Sequence, residues 1–167
     1  ILTTNGVIHV IEEVILPLNN IVATATANGS FTTLLAALDE AGLTTTLEGA
    51  GSFTVFAPTD DAFADLLMAL DIDATTLLGI ENLSDVLLYH VLDGAYYSGD
   101  VVMNAPFNME TLQGDEVRFT VMDGKAYING IEIIMTDILT TNGVIHVINE
   151  VILPVENIVA TATANGN

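Results

Sequence analysis

Residues 53–63 read FTVFAPTDDAF. The run 53–57 has no polar face, which predicts a strand buried on both sides. Pro58 ends it, and Thr59 is a predicted helix cap. Asp60 and Asp61 then fall in a first helical turn, where the helix dipole favours carboxylates. Phe63, Leu66, Leu67 and Leu70 follow at helical spacing and are expected to form that helix's apolar face. Within a few residues the chain changes from a period of two to one of 3.6.

Upstream, residues 20–28 (NIVATATAN) and 30–41 (SFTTLLAALDEA) read as consecutive helices. Phe31, Leu34, Leu35 and Leu38 are spaced as one face, with Ser30 as N-cap and Gly42 as stop. Downstream, short helices are expected over 74–79 and 82–88, the first capped from the Asp71–Asp73 stretch. From Tyr89 onward the pattern turns to strands. Asp123-Gly124 and Asn129-Gly130 separate apolar runs and suit the left-handed angles of type I′ turns, predicting a β-meander over 116–136. Helices first and antiparallel strands later give an α+β class.

The chain has 167 residues, with 22 acids against two cations, Arg118 and Lys125, for a net charge of −20. Only 14% of residues are charged and 51% are apolar, so the acidity reflects missing cations. Two cations cannot neutralise a phosphate backbone, which excludes nucleic-acid binding. An anionic membrane surface would repel the chain, and no apolar run reaches the ~18 residues of a membrane span, so direct membrane insertion is not expected. The apolar content argues against disorder. With no cysteine, disulfides and thiolate metal sites are excluded.

Residues 1–29 (ILTTNGVIHVIEEVILPLNNIVATATANG) recur as 138–166 (ILTTNGVIHVINEVILPVENIVATATANG). The copies differ only at Glu12/Asn149, Leu18/Val155 and Asn19/Glu156, and the offset of 137 residues is the size of a domain. The expected organisation is a window on a tandem array. Residues 1–18 would be the C-terminal strand segment of a preceding repeat, 19–156 a complete domain, and 157–167 the first helix of a following repeat. If 143–153 (GVIHVINEVIL) form a buried strand pair, residues 6–16 are a second copy for the same slot. Val7, Ile8, Val10, Ile11, Val14 and Ile15 are therefore candidates for strand exchange with another molecule.

Three segments carry a family resemblance. FTVFAPTDDAF (53–63) resembles the first signature of the fasciclin domain, Tyr89-His90 stands where that family places its Tyr-His pair, and GVIHVINEVILP (143–154) resembles its second signature. They occur in order over about Asn20 to Pro154. The resemblance implies a fasciclin-type β-wedge, with antiparallel or mixed sheets, a β-meander, and several helices packed beside it. It also implies extracellular or cell-surface adhesion or matrix organisation, often as tandem repeats. An integrin-binding role attached to the family maps onto Tyr89, His90, Asp137 and Ile138, while Met135-Thr136 departs from the residues that precede Asp-Ile in vertebrate matrix members.

Catalysis is not expected. His9 and His146 occupy one repeat position, and with His90 each sits in an apolar run, as hydrogen-bonded core histidines do. Tyr89-His90 is expected to pin a helix end to the sheet. No Gly-x-Ser-x-Gly or His-Glu-x-x-His pattern occurs. Asp60/Asp61, Asp71/Asp73 and Asp115/Glu116 lack the spacing of a calcium loop and read as caps or solvated acids, so no cofactor or metal is expected beyond diffuse cation attraction. Asn28 and Asn82 head N-x-S/T sequons and are candidate glycosylation sites. Asn5-Gly6 and Asn142-Gly143 read as turns into the repeated strand. The expected function is an adhesion or structural module acting by multivalent weak contacts with neighbouring repeats, copies of itself, or cell-surface or matrix proteins or glycans. A filament assembled by strand addition is the alternative, and binding of a small ligand or glycan a lesser one.

Overall fold

The computed structural model describes residues 18–154. The strand-exchange candidates Val7 to Ile15, His9 and the helix expected over 157–167 lie outside the described residues.

Helices come first. They are α1 (Ile21–Asn28), α2 (Thr32–Glu40) and α3 (Thr44–Glu48), then strand β1 (Phe53–Pro58), then α4 (Asp60–Leu70), α5 (Ala74–Leu78) and α6 (Leu83–Leu88). Next are β2 (Val91–Asp93), α7 (Ser98–Asn104), β3 (Phe107–Glu110), β4 (Glu116–Met122), β5 (Lys125–Ile128), β6 (Ile131–Thr140) and β7 (Gly143–Ile148). The strands form one seven-stranded sheet in the order β2-β1-β7-β6-β5-β4-β3. β1 and β7, the two signature strands, pair in parallel at its centre, Phe53 against Gly143 through Pro58 against Ile148. Every other pairing is antiparallel. The mixed sheet with its 116–136 meander and flanking helices is the α+β wedge that the resemblance implied.

The near-continuous apolar runs of β1 and β7 follow from burial on both faces. Val55, Ala57, Ile145 and Val147 face a larger core with α1, α2, α4 and α6, built on Phe31, Leu34, Leu38, Phe63 and Leu87. The alternate residues Phe56 and Ile148 face a smaller core under the meander, with Tyr89, Val117, Phe119 and Ile128. There Phe119 sits between Phe56, at 5.6 Å, and Phe107, at 5.0 Å. Both hairpin turns have the expected left-handed angles, at Asp123 (φ 52°) and Gly124 (77°), and at Asn129 (51°) and Gly130 (86°).

Several expectations are corrected. Ser30 does not cap α2: the cap position is Phe31, which offers no side-chain bond. Asp60 does the work from 28 residues away, its carboxylate accepting from the Thr32 N–H, the Thr33 N–H at 2.7 Å and the Thr32 hydroxyl at 2.8 Å. Leu70 is 46% exposed although it falls on the same helical face as Phe63: burial in α4 fades from Ala62 and Phe63 through half-buried Leu66 and Leu67, so its last turn runs beyond the core. Residues 143–153 are not a strand pair. β7 stops at Ile148, the chain turns, and the Ile152 N–H bonds His90 Nε2 rather than a neighbouring strand. The stretch after Tyr89 is interrupted by α7, and α3 is a further helix without a sequence expectation.

Candidate functional site

Tyr89 and His90 end α6 and lead into β2. Both are buried, at 3% and 2% exposure. The Tyr89 hydroxyl donates to the Glu116 carbonyl at 3.1 Å and accepts from the Asn129 side-chain amide at 2.9 Å, tying the helix end to the meander. Burial pushes the phenol above its ordinary value, with the Asp115 charge adding to this and the Asn129 bond opposing it.

His90 lies inside the protein with both ring nitrogens engaged. Nδ1 lies 2.7 Å from the Val86 carbonyl and Nε2 accepts from the Ile152 N–H at 2.9 Å, so the proton is on Nδ1. Burial lowers its pKa to about 4, against a smaller opposing effect of the Val86 bond. His146 has the converse arrangement. Its Nε2 donates to the Tyr96 carbonyl at 2.8 Å, its Nδ1 accepts from the Asp137 N–H at 3.2 Å, and the ring stacks on Phe56 at 5.5 Å. Burial lowers its pKa too, while the Tyr96 bond and the Asp137 charge oppose the shift. Neutral rings with no free nitrogen are core residues, as their apolar surroundings in the sequence imply.

Asp137 and Ile138 lie on β6, where the pairing with β7 is irregular between Met135 and Ile138. That irregularity puts Asp137 at φ 61°. Its carboxylate accepts from the Ser98 N–H at 2.8 Å and from the Ser98 hydroxyl, holding the start of α7. Ile138 is half-buried against the larger core. The structure thus joins Asp137 to His146 and leaves both β6 residues within reach of solvent, whereas Tyr89 and His90 face the interior. On either side of Asp137, Ile134 (50%), Met135 (53%) and Leu139 (50%) are exposed. Ile134 and Met135 border a groove of about 170 Å³ with Phe31 and Thr59. Of the sequon residues, Asn28 is exposed at the end of α1, and Asn82 is half-buried at the cap position of α6.

Two polar anchors were not singled out as such in the sequence. Asp60 appeared only as a first-turn carboxylate, yet it joins α4 to α2. Burial raises its pKa, and the bonds from Thr33 and Thr32 outweigh that and hold it below the ordinary value. Asn142 appeared only as a turn residue, but it is buried, and its side chain joins α1 and α3 to the start of β7. The one available signal was its neighbour, Gly143. Asp73 does cap α5, accepting from the Thr76 N–H at 2.7 Å, which lowers its pKa. Among the described residues no group of three His, Asp or Glu side chains is placed to hold a metal ion, and no helix is long and apolar enough to cross a membrane.

The family model of the Fasciclin domain matches residues 29–154. The chain belongs to the fasciclin-domain family. It is 42% identical to Protein sll1483 of Synechocystis sp. over 137 residues, covering 80% of this chain and 73% of that protein. It is 40% identical over 157 residues to the transforming growth factor-beta-induced protein ig-h3 of Sus scrofa, covering 90% of this chain but only 22% of that protein. The fold is also that of a fasciclin domain pair from the insect cell adhesion molecule fasciclin I. That match has a TM-score of 0.73 at 21% identity and covers 94% of this chain and 58% of the other.

Proposed function

We propose that this chain is part of an extracellular or cell-surface adhesion or structural protein, built as a tandem array of near-identical fasciclin-type domains. It acts without catalysis, through weak contacts that the array multiplies by effective concentration. The observation that carries this reading is the exposed stretch of β6, where Ile134, Met135 and Leu139 flank Asp137 on a chain of net charge −20. Single exposed apolar side chains need no account, but three along one strand offer a contact surface. At ~0.15 M salt the Debye length is about 8 Å, so acidic units can approach one another without strong repulsion. The 137-residue repeat supports multivalency, and the adhesion molecule that shares the fold supports the functional class. Contacts are with neighbouring repeats or copies of the chain, and with matrix or cell-surface proteins or glycans.

The test is clustering of beads coated with the chain at physiological salt. Coated beads are expected to cluster, and the pair Ile134→Glu and Met135→Glu to disperse them. Wild-type beads that stay dispersed would count against self-contact as the mechanism.

A second reading is a filament built by strand exchange. It is favoured by the recurrence of the β7 anchors Asn142, Gly143 and His146 as Asn5, Gly6 and His9. Because Asn142 at the start of β7 holds Ile21, residues 5–17 could fill the slot of their own chain only if residues 18–20 spanned the length of β7. Six strand residues extend roughly 20 Å, whereas residues 18–20 bridge at most about 14 Å between Pro17 and Ile21, so the exchange partner would be a second molecule. Light scattering on 1–167 and on a chain starting at Asn19 separates the readings: if both are monomeric at high concentration, the filament reading fails.

A further inference from the structure

We infer that Val155 seats in a groove at the trailing end of its own unit, so that consecutive units are docked against one another rather than loosely strung; this rests on the tandem-array reading. The groove lies between α4 and the segment after β7 and has a volume of about 390 Å³. Leu66 and Leu153 line it as half-buried apolar walls, Ala69 leaves one side open, and the exposed carboxylates of Asp65 and Glu150 lie along it.

The argument for the occupant comes from the other end of the unit. Leu18, the repeat equivalent of Val155, is 53% exposed, so the unit that follows it in the chain gives it no seat. The backbone just after it is nonetheless fixed. The Asn19 carbonyl accepts from the Thr141 N–H at 2.9 Å, and the Asn20 side chain accepts from the Ala23 N–H at 2.8 Å. Each junction therefore carries an apolar side chain, Leu or Val, that the following unit leaves exposed, next to an open apolar groove at the trailing end of the unit before it. In the array the two are neighbours in sequence, since Leu153 lines the groove and only Pro154 separates it from Val155. Three residues, 155–157, lie between Pro154 and Ile158, the equivalent of Ile21. Such a segment reaches at most about 14 Å, which bounds the distance of Ile158 from Pro154. Filling the groove with Val155 removes both exposed apolar surfaces and shortens the free linker. The charge pattern agrees: Val155 is neutral, whereas an acidic side chain there would meet Asp65 and Glu150.

The test is methyl-resolved NMR on the 167-residue chain. Nuclear Overhauser contacts are expected from the Val155 methyls to those of Leu66 and Ala69, and Ala69→Trp, which fills the groove from an exposed helix position, should abolish them. Val155→Asp keeps the question open from the other side should Ala69→Trp not fold. The chain has no cysteine, so spin labels on Met103→Cys in each unit of a two-unit chain report the relative placement of the units. One narrow distance distribution is expected, broadened by Ala69→Trp in the leading unit. Absent contacts from Val155, or a distribution that the groove variants leave unchanged, would overturn the inference. Sequencing the intact protein tests the array separately: a single unit would end the array reading while leaving the Val155 contacts to stand or fall on their own.

Discussion

Asn142 holds Ile21. Its side-chain oxygen accepts the Ile21 N–H at 2.9 Å across 121 residues of sequence, while its amide donates to the carbonyls of Leu47 at 2.7 Å and Gly49 at 3.0 Å. One side chain thus closes the start of the domain onto its last strand and gathers α1, α3 and β7 at one point. Buried polar groups stripped of a partner cost their full desolvation. Asn142→Ala is expected to lose about 2–4 kcal/mol in urea unfolding. Asn142→Asp keeps the acceptor but sets a carboxylate against two carbonyls, and should be no better. A loss below roughly half a kcal/mol for the alanine variant would mean that water replaces the amide without penalty.

Gly143, the next residue, carries a steric constraint. A Cβ there would collide with the Phe53 carbonyl oxygen, in the parallel register that joins the two signature strands. Gly143→Ala is therefore expected to destabilise by more than about 3 kcal/mol or to prevent folding. Gly99→Ala is the control: nothing lies within 4 Å of its added Cβ in α7, and there the substitution should be neutral or stabilising by up to about 1 kcal/mol. Equal effects at the two sites would contradict the register.

His90 makes stability depend on pH. An unfolded histidine takes its proton near pH 6.5, but His90 in the fold does so only at about 4. Between these values the unfolded state binds more protons, so its contribution is complete above pH 6.5 and is lost as pH falls, by about 1.4 kcal/mol per unit, levelling off below about 4. Asp60 and Asp73, with lowered values, hold stability that is lost only below their ordinary 3.8, outside this window. Urea midpoints from pH 7 to 4 should fall steeply for the wild type and less steeply for His90→Asn, with His146 supplying the remaining slope. An unchanged slope would show that His90 is not the group responsible.

Asp60 is expected to matter more than Asp61. Asp60→Ala removes three bonds to the start of α2 and should cost about 1–2 kcal/mol, the range of a lost cap. Asp61 is exposed in the same first turn, and Asp61→Ala should stay within about 0.5 kcal/mol. Chemical denaturation of both variants checks the difference.

What the sequence revealed follows from range. The strand-to-helix change at Pro58-Thr59, the two left-handed turns at Asp123 and Asn129, and the buried histidines depend on local chemistry, and the structure carries each of them. The Ser30 cap failed because Asp60, distant in sequence, offers a charged acceptor in its place. The strand pair over 143–153 failed because Ile152 has a better partner in His90. α3 and α7 are short, and their few apolar residues mark no helical face. The candidate surface shows the same division. Tyr89-His90 is visible as a motif and its burial follows from its apolar surroundings, whereas the exposure of Ile134, Met135 and Leu139 depends on the irregular pairing of β6.

The central claim, adhesion by multiplied weak contacts, is tested most directly by comparing beads that carry equal numbers of units as one-unit and as two-unit chains. The two-unit chains should cluster beads at concentrations at least tenfold lower, within reach of the ~10²–10⁴-fold gains that linkage can give. The advantage should vanish with Ile134→Glu and Met135→Glu in both units. Equal clustering per unit, or an advantage that survives those substitutions, would contradict the account.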